Sequence, residues 1–229
     1  MSQNQEGLGP AIAIRNGVAS LEPNSVTGGM YHLLNAVIAP RPIAWVSTLA
    51  ADGTFNLAPH SYTTVLSPNP PIVGFVSIGR KDTLRNVEAT GDFVYHIADE
   101  SLGERLNRTA ADFPANESEF AWAGLTPVPS DLVHAPRVAE APVAFEATLV
   151  EVKQIAQTNN HLIMGEIVRL HIAQAVITDG RIDPAKLRPL GRLAGGGFSR
   201  LGELFSMTRP TYKGLLETDE GPMEPASNS

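Results

Sequence analysis

The strongest constraint on the fold is a pair of long alternating segments. Val143 to Val152 and His161 to Ile177 each interleave apolar and polar residues, and the polar corner Gln157-Thr158-Asn159-Asn160 lies between them. A period of two marks a strand with unlike faces, so two such runs about a short polar turn predict an antiparallel hairpin. In the second run His161, Ile163, Gly165, Ile167, Arg169 and His171 share one face. Leu162, Met164, Glu166, Val168 and Leu170 share the other. An isolated hairpin is marginal in water, so this one needs partner strands.

Candidates stand upstream. Ile43 to Leu49 is β-rich, Ala51-Asp52-Gly53 supplies a turn, and Phe55 to Leu66 resumes as its hairpin partner. Ile72 to Ile78 and Phe93 to Ala98 are short apolar runs of the kind found in buried strands. Helices are few and short: Asp82 to Ala89 with Gly91 just past its end, then Leu102 to Ala110, Ser118 to Ala123 and Pro184 to Leu187. Six or more strands with short helices predict a mainly β fold, a barrel or sandwich, and not a doubly wound sheet. The sequence has no GxGxxG and no Walker loop.

At 229 residues the chain can bury about 70% of its unfolded surface in one core, without covalent staples. It has no cysteine, which excludes disulfides, thiolate metal sites, iron–sulfur clusters and thiol nucleophiles. The six histidines show no paired metal spacing, so no bound metal is expected. A net charge of −7 argues against nucleic acid or an anionic membrane as a general partner. The start MSQNQEGLGP lacks the basic and apolar regions of a signal peptide, and no stretch approaches the ~18 apolar residues of a membrane span. A cytoplasmic protein is the expectation. Residues 1–25 read as an extension, 26–213 as one domain, and 214–229 as an acidic, disordered tail.

Positive charge is concentrated at one place. In Ser77-Ile78-Gly79-Arg80-Lys81-Asp82-Thr83 a strand ends, glycine permits a turn, two cations follow and a helix begins. Helix N-termini offer unpaired N–H groups and a positive dipole end, which suits phosphate. Ser77 and Thr83 add hydroxyls. The same residues also suit a plain capped helix with a solvated basic turn. Further upstream, paired strands bearing Ser47, Thr48, Asn56 and Ser61 set small donors on an apolar wall. That suits a flat heterocycle, or equally strand-end backbone pairing.

Four motifs occur in order: PRPIAWVST, NLAPHSY, GRKDTLRN and HLIMGEIV. Together they resemble the flavin reductase-like family of FMN-binding split barrels, from about Met30 to Phe198. The resemblance implies a homodimer with FMN near the subunit interface. It places Val46, Ser47 and Thr48 against the ring or ribityl chain, and Asn56, Ala58, Ser61 and Tyr62 along the ring edge. It gives the phosphate to Ser77, Arg80, Lys81 and Thr83. His161 would face the open side of the flavin as a substrate-binding or proton-shuttling group. Gly165 would let a ring approach the backbone. PLGRLAGGGFSRL resembles a stretch that usually ends in tyrosine, with Phe198 in that place here and Arg192 a candidate for an anionic substrate or nicotinamide phosphate. His60 would lie near the flavin, and His96 reads as a strand residue.

Three functions follow from the resemblance. The first is an NAD(P)H-dependent oxidoreductase that supplies reduced flavin to a partner monooxygenase. The second is a flavoenzyme keeping FMN for its own small aromatic substrate, such as a nitroreductase. The third is a non-catalytic flavin- or haem-binding module.

Overall fold

The computed structural model describes residues 13–26 and 29–217. Its centre is one antiparallel sheet of seven strands. In chain order these are β1 (Ala44–Leu49), β2 (Phe55–His60), β3 (Thr63–Pro68), β4 (Pro71–Ile78), β5 (Asp92–Ile97), β6 (Val143–Gln154) and β7 (Asn160–Ile172). They lie side by side as β2-β1-β5-β6-β7-β4-β3. Six helices accompany them: α1 (Met30–Val37), α2 (Asp82–Thr90), α3 (Gly103–Arg108), α4 (Glu119–Ala123), α5 (Pro184–Leu187) and α6 (Tyr212–Glu217).

The predicted long hairpin is β6–β7, paired from Val143↔Ile172 to Gln154↔His161. Its second strand stops at Ile172, short of Ile177, where a 3₁₀ turn at Gln174–Val176 takes over. The Asp52-Gly53 hairpin joins β1 to β2 as expected. Phe55 to Leu66 differs from the single strand the sequence suggests. It divides at Ser61-Tyr62 into β2 and β3, which occupy opposite edges of the sheet.

That division dictates the architecture. Two residues cannot bridge the width of seven strands, so the sheet must curl until its edges nearly meet. The result is a barrel with a seam between β2 and β3–β4, crossed by the Val76 N–H to the Tyr62 carbonyl at 2.8 Å.

Alternation along β1 serves two cores. Ala44 and Val46 point into the barrel beside Phe75, Phe93, Tyr95, Ala147 and Ile163. Ile43 and Trp45 join Leu57, Leu102, Leu106 and Phe120 in a second cluster under α3 and α4. Gly165 does accept a ring at the backbone, and it is the chain's own. A Cβ there would fall 2.5 Å from Phe93 Cε1.

The loop from Pro129 to Val138 has no ladder of its own along most of its length, yet its backbone is held by buried side chains. Asp92 accepts from the N–H groups of His134 at 3.0 Å and Ala135 at 3.1 Å. Glu146 accepts from Asp131 at 2.8 Å and Leu132 at 2.7 Å, and its Oε1 meets the His171 ring at 2.6 Å. His96, the expected strand residue, spans the two layers. Its Nδ1 lies 2.9 Å from the Trp45 carbonyl and its Nε2 accepts from Val138 N–H at 3.0 Å. Burial holds its pKa down at about 4, so it remains neutral. Burial alone would raise the Glu146 carboxyl, but the N–H donors from Asp131 and Leu132 and the His171 ring outweigh it and leave the pKa lowered.

Asp131, Glu146 and His171 bring possible ligand atoms together. Arg169 lies 3.5 Å from Asp131 and Arg137 3.9 Å from Glu146, so the cluster is an ion-pair network.

Residues 13–20 form a small ribbon within the expected extension. Of the tail expected to be disordered, 214–229, residues 214–217 belong to helix α6, and 218–229 lie outside the described residues. No helix among the described residues is long and apolar enough to cross a membrane.

Candidate functional site at the barrel seam

The seam opens into a cleft of about 330 Å³. One wall is the end of β2 and its crossing, Asn56 to Tyr62; the other is Val76 to Ile78 of β4 with Lys81 to Thr83. Thr109 to Phe113, Tyr31 and Glu119 complete it. The gap between the sheet edges and the helix after β4 therefore form one site.

At the floor, β4 ends and Gly79 turns the chain at φ +85, a conformation that favours glycine. Ser77 Oγ donates to the Gly79 carbonyl at 2.7 Å, which fixes the turn. Then α2 starts. Its N-cap position is Lys81, which gives no side-chain bond to the first turn, so those N–H groups have no side-chain cap. Gly91 closes the other end in the left-handed region, as the sequence implies.

Thr83 is buried at the uncapped end, where its Oγ1 accepts from Asn56 Nδ2 at 3.2 Å. Because it acts as an acceptor there, its hydroxyl hydrogen remains available to donate. Asn56 also donates to Thr48 at 3.2 Å, and Asn86 donates to Thr48 at 3.0 Å. Lys81 Nζ lies 2.9 Å from Asp112, with both side chains largely in water. A pair held in water constrains its cation weakly.

Around the opposite rim, Asn35 of α1 donates to the Tyr62 hydroxyl at 3.0 Å. The buried Arg41 guanidinium bonds the carbonyls of Asn35 at 2.8 Å, Ile38 at 2.9 Å and Leu193 at 3.1 Å. It thus ties α1, the cleft rim and the glycine-rich loop together. Trp45 Nε1 donates to Thr109 Oγ1 at 2.8 Å and anchors the 109–113 wall.

His60 stands in the cleft wall with its ring 4.7 Å from that of Phe75. Its Nδ1 is 3.3 Å from the Val76 carbonyl, which assigns the proton to Nδ1 and leaves Nε2 a lone-pair acceptor. Burial sets its pKa down at about 4, so this acceptor persists at neutral pH. Nε2 is buried without a partner, as are Ser118 Oγ and His161 Nδ1. Buried polar atoms are normally satisfied, so the orphan Nε2 of His60, the one of the three that belongs to the cleft wall, marks a ligand site.

Of the residues expected from sequence, Asn56, Ala58, Ser61, Tyr62, Ser77, Lys81 and Thr83 line the cleft. The others lie elsewhere. Val46 points into the barrel core, and Ser47 Oγ is taken by the Pro136 carbonyl of the clamped loop. Thr48 stands behind Asn56 and acts through it. Arg80 folds along α2 onto Glu88 at 2.5 Å. His161 is buried opposite Ser77 on the neighbouring strand and forms no part of the cleft wall.

Arg192 and Phe198 line a separate cavity of about 150 Å³ that shares Pro59, Ser61 and Ala110 with the cleft. The Arg192 guanidinium sits 4.6 Å from the Phe198 ring centre and donates to the carbonyls of Gly195 at 2.6 Å and Gly197 at 3.0 Å. It staples the loop.

Sequence reasoning missed Tyr31, Thr109 to Phe113 and Glu119. The wall segment carries no motif, and Glu119 is recognisable only by its partner, the Leu57 N–H of an edge strand at 2.9 Å.

Comparison with known proteins bears on the same region. The family model described as flavin reductase like domain matches residues 37–184. An uncharacterized protein of Halalkalibacterium halodurans is 39% identical over 79% of this chain and 91% of its own. The crystal structure of nitrilotriacetate monooxygenase component B from Bacillus cereus superposes with TM-score 0.80 at 38% identity, covering 84% of this chain and all of that one. That of 2-nitrobenzoate 2-nitroreductase from Pseudomonas fluorescens gives 0.73 at 30%, covering 80% and 91%.

Proposed function

Since this chain belongs to the flavin reductase-like family of split barrels, we propose that it binds FMN in the seam cleft, draws hydride from NADH or NADPH, and delivers reduced flavin to a separate monooxygenase component. The observation that carries this reading is the uncapped start of α2, opening with Lys81 and Thr83 into a cleft whose wall holds the orphan acceptor of His60. The first suits a phosphate and the second suits a heterocycle N–H or ribityl hydroxyl.

Bound flavin supplies two-electron chemistry that no side chain here provides. The chain's own residues bind and orient. Lys81 would exchange Asp112 for the phosphate and Thr83 would donate its hydroxyl hydrogen to it, while Asn56 fixes Thr83 from behind. Pro59 to Tyr62 give the ring a wall that Arg41 and Asn35 hold in place. His60 stays neutral and accepts.

The reading includes a homodimer in the cytoplasm. Its support is apolar surface that one copy leaves uncovered: Val65, Val150, Val168 and Leu170 on the sheet, and Leu204, Phe205 and Met207 on the C-terminal arm.

Titration of the purified protein with FMN, followed by NADH or NADPH oxidation with and without free flavin, tests the proposal. Oxidation that needs added flavin supports it. A flavin that stays oxidised with both nucleotides defeats it and leaves the binding module. One observation favours a second reading, a dedicated enzyme with its own small aromatic substrate: the adjoining cavity of Arg192 and Phe198 leaves room beside the seam. Turnover of bound FMN with a nitroaromatic acid, without free flavin, would select it.

A further inference from the structure

Each cation between Gly79 and Arg85 already holds an acid. Arg80 rests on Glu88 at 2.5 Å, Arg85 on Asp82, and Lys81 Nζ on Asp112 at 2.9 Å. The first two pairs stay within the turn and α2. The third does not. Lys81 stands at the start of α2 on one wall of the seam cleft, and Asp112 belongs to another, the Thr109 to Phe113 segment. Their contact therefore ties two walls together beside the uncapped helix end.

The segment that carries Asp112 is anchored at its base. Thr109 is buried, where its Oγ1 accepts from Trp45 at 2.8 Å and donates to the Leu106 carbonyl at 2.8 Å. Three residues on, the Asp112 side chain is 88% exposed, against 63% for Lys81. A pair so open to water contributes little to folding. The hydrogen bond and charge of Lys81 hold the Asp112 carboxyl below the usual range, so it is ionised at neutral pH. Among the described residues lining the cleft, Asp82 and Glu119 are the other acids and Lys81 is the one cation. A phosphate arriving at α2 thus meets a cation that is already neutralised.

We propose that Asp112 is a built-in competitor for the phosphate, an inference that rests on the flavin reading above and names a residue that sets how readily FMN exchanges. Asp112 holds Lys81 before the ligand arrives, gives it up on loading and recovers it on release. Two effects act in the same direction. Loading breaks the Lys81–Asp112 pair, and the released carboxylate then stands near a dianion of like charge. Both lower affinity, and affinity differences of this kind fall mostly on dissociation, so both hasten release. Since the pair adds little to stability, exchange accounts for its place across the cleft better than folding does.

Fluorescence titration of the protein stripped of flavin, with FMN and with riboflavin, tests this, together with stopped-flow dissociation of FMN. Asp112→Asn should tighten FMN about three- to tenfold and slow its dissociation by a similar factor. Riboflavin has no phosphate and should stay within about twofold of its wild-type affinity. Asp179→Asn makes the same charge change at an exposed turn outside the cleft lining, and should move FMN affinity less than about twofold. FMN bound no more tightly by Asp112→Asn overturns the inference and leaves the flavin reading standing. Equal tightening of riboflavin overturns it too, because the effect then belongs to the wall and not to the phosphate. So does equal tightening by Asp179→Asn, which assigns the gain to net charge. Binding of neither flavin by the wild type removes the flavin reading itself, and this one with it.

Discussion

The loop from Pro129 to Val138 and the turn from Gly79 to Thr83 are both irregular backbone beside a strand end, and the chain treats them in opposite ways. In the first, buried carboxylates of Asp92 and Glu146 meet backbone N–H groups one for one, and His96 closes the end. In the second, the helix N–H groups have no side-chain cap and the nearby cations rest on exposed acids. Buried, hydrogen-bonded charge fixes a conformation, whereas charge paired in water is readily exchanged for a better partner. The difference separates a part built to stay from a part built to receive.

The comparison breaks most visibly if the clamp is removed. Glu146→Ala should cost about 3–5 kcal/mol in urea unfolding, because two backbone N–H groups and the His171 ring all lose the one buried carboxylate they share. Flavin affinity of the folded fraction should not change. A loss below ~1 kcal/mol would mean that the acid clamp is replaceable by water.

At the other region, Lys81→Ala with Thr83→Ala should cost unfolding only about 1 kcal/mol, from the buried Thr83–Asn56 hydrogen bond, and weaken FMN by about 2–4 kcal/mol, read by fluorescence quenching. Unchanged affinity would remove the α2 end from the site.

Acid sharpens the contrast. His96 has a folded pKa of about 4, below its unfolded value. The neutral ring therefore contributes its full stability above the unfolded pKa, and that contribution falls as pH drops through the window toward 4. Between pH 6.5 and 5 the loss should be about 2 kcal/mol from His96, with a similar share from His60. Denaturant midpoints measured across that range check it. A flat profile would place both rings in contact with water. The smallest effect belongs to the loop staple: Phe198→Leu removes the ring under Arg192 and should cost about 0.5–1 kcal/mol in thermal unfolding.

Periodic and local features were legible in the sequence. The β6–β7 hairpin follows from alternation, and α2 from Asp82 at its start and Gly91 past its end. Most of the cleft wall was legible too, because its motifs sit on β2, on the end of β4 and on the start of the helix after β4. What escaped depends on distant partners. The β2–β3 division is invisible locally, since each half pairs with a strand at the opposite edge of the sheet. Helix α1 has glycine at its N-cap, no acid in its first turn and no base in its last. Ser47 is a plausible ligand donor until Pro136, far along the chain, takes its hydroxyl. The clamp unites residues that no motif joins.

One consequence lies in the Ser61-Tyr62 crossing. His60 and Thr63 end and begin the two edge strands. Three peptide steps reach at most about 11 Å, whatever the side chains are. The mouth of the barrel is thus tethered by a length of covalent chain and cannot stretch as a packed wall might. Substitutions can tune what the mouth prefers, but a bulkier guest must be accommodated by the flanking loops, because the tether does not lengthen.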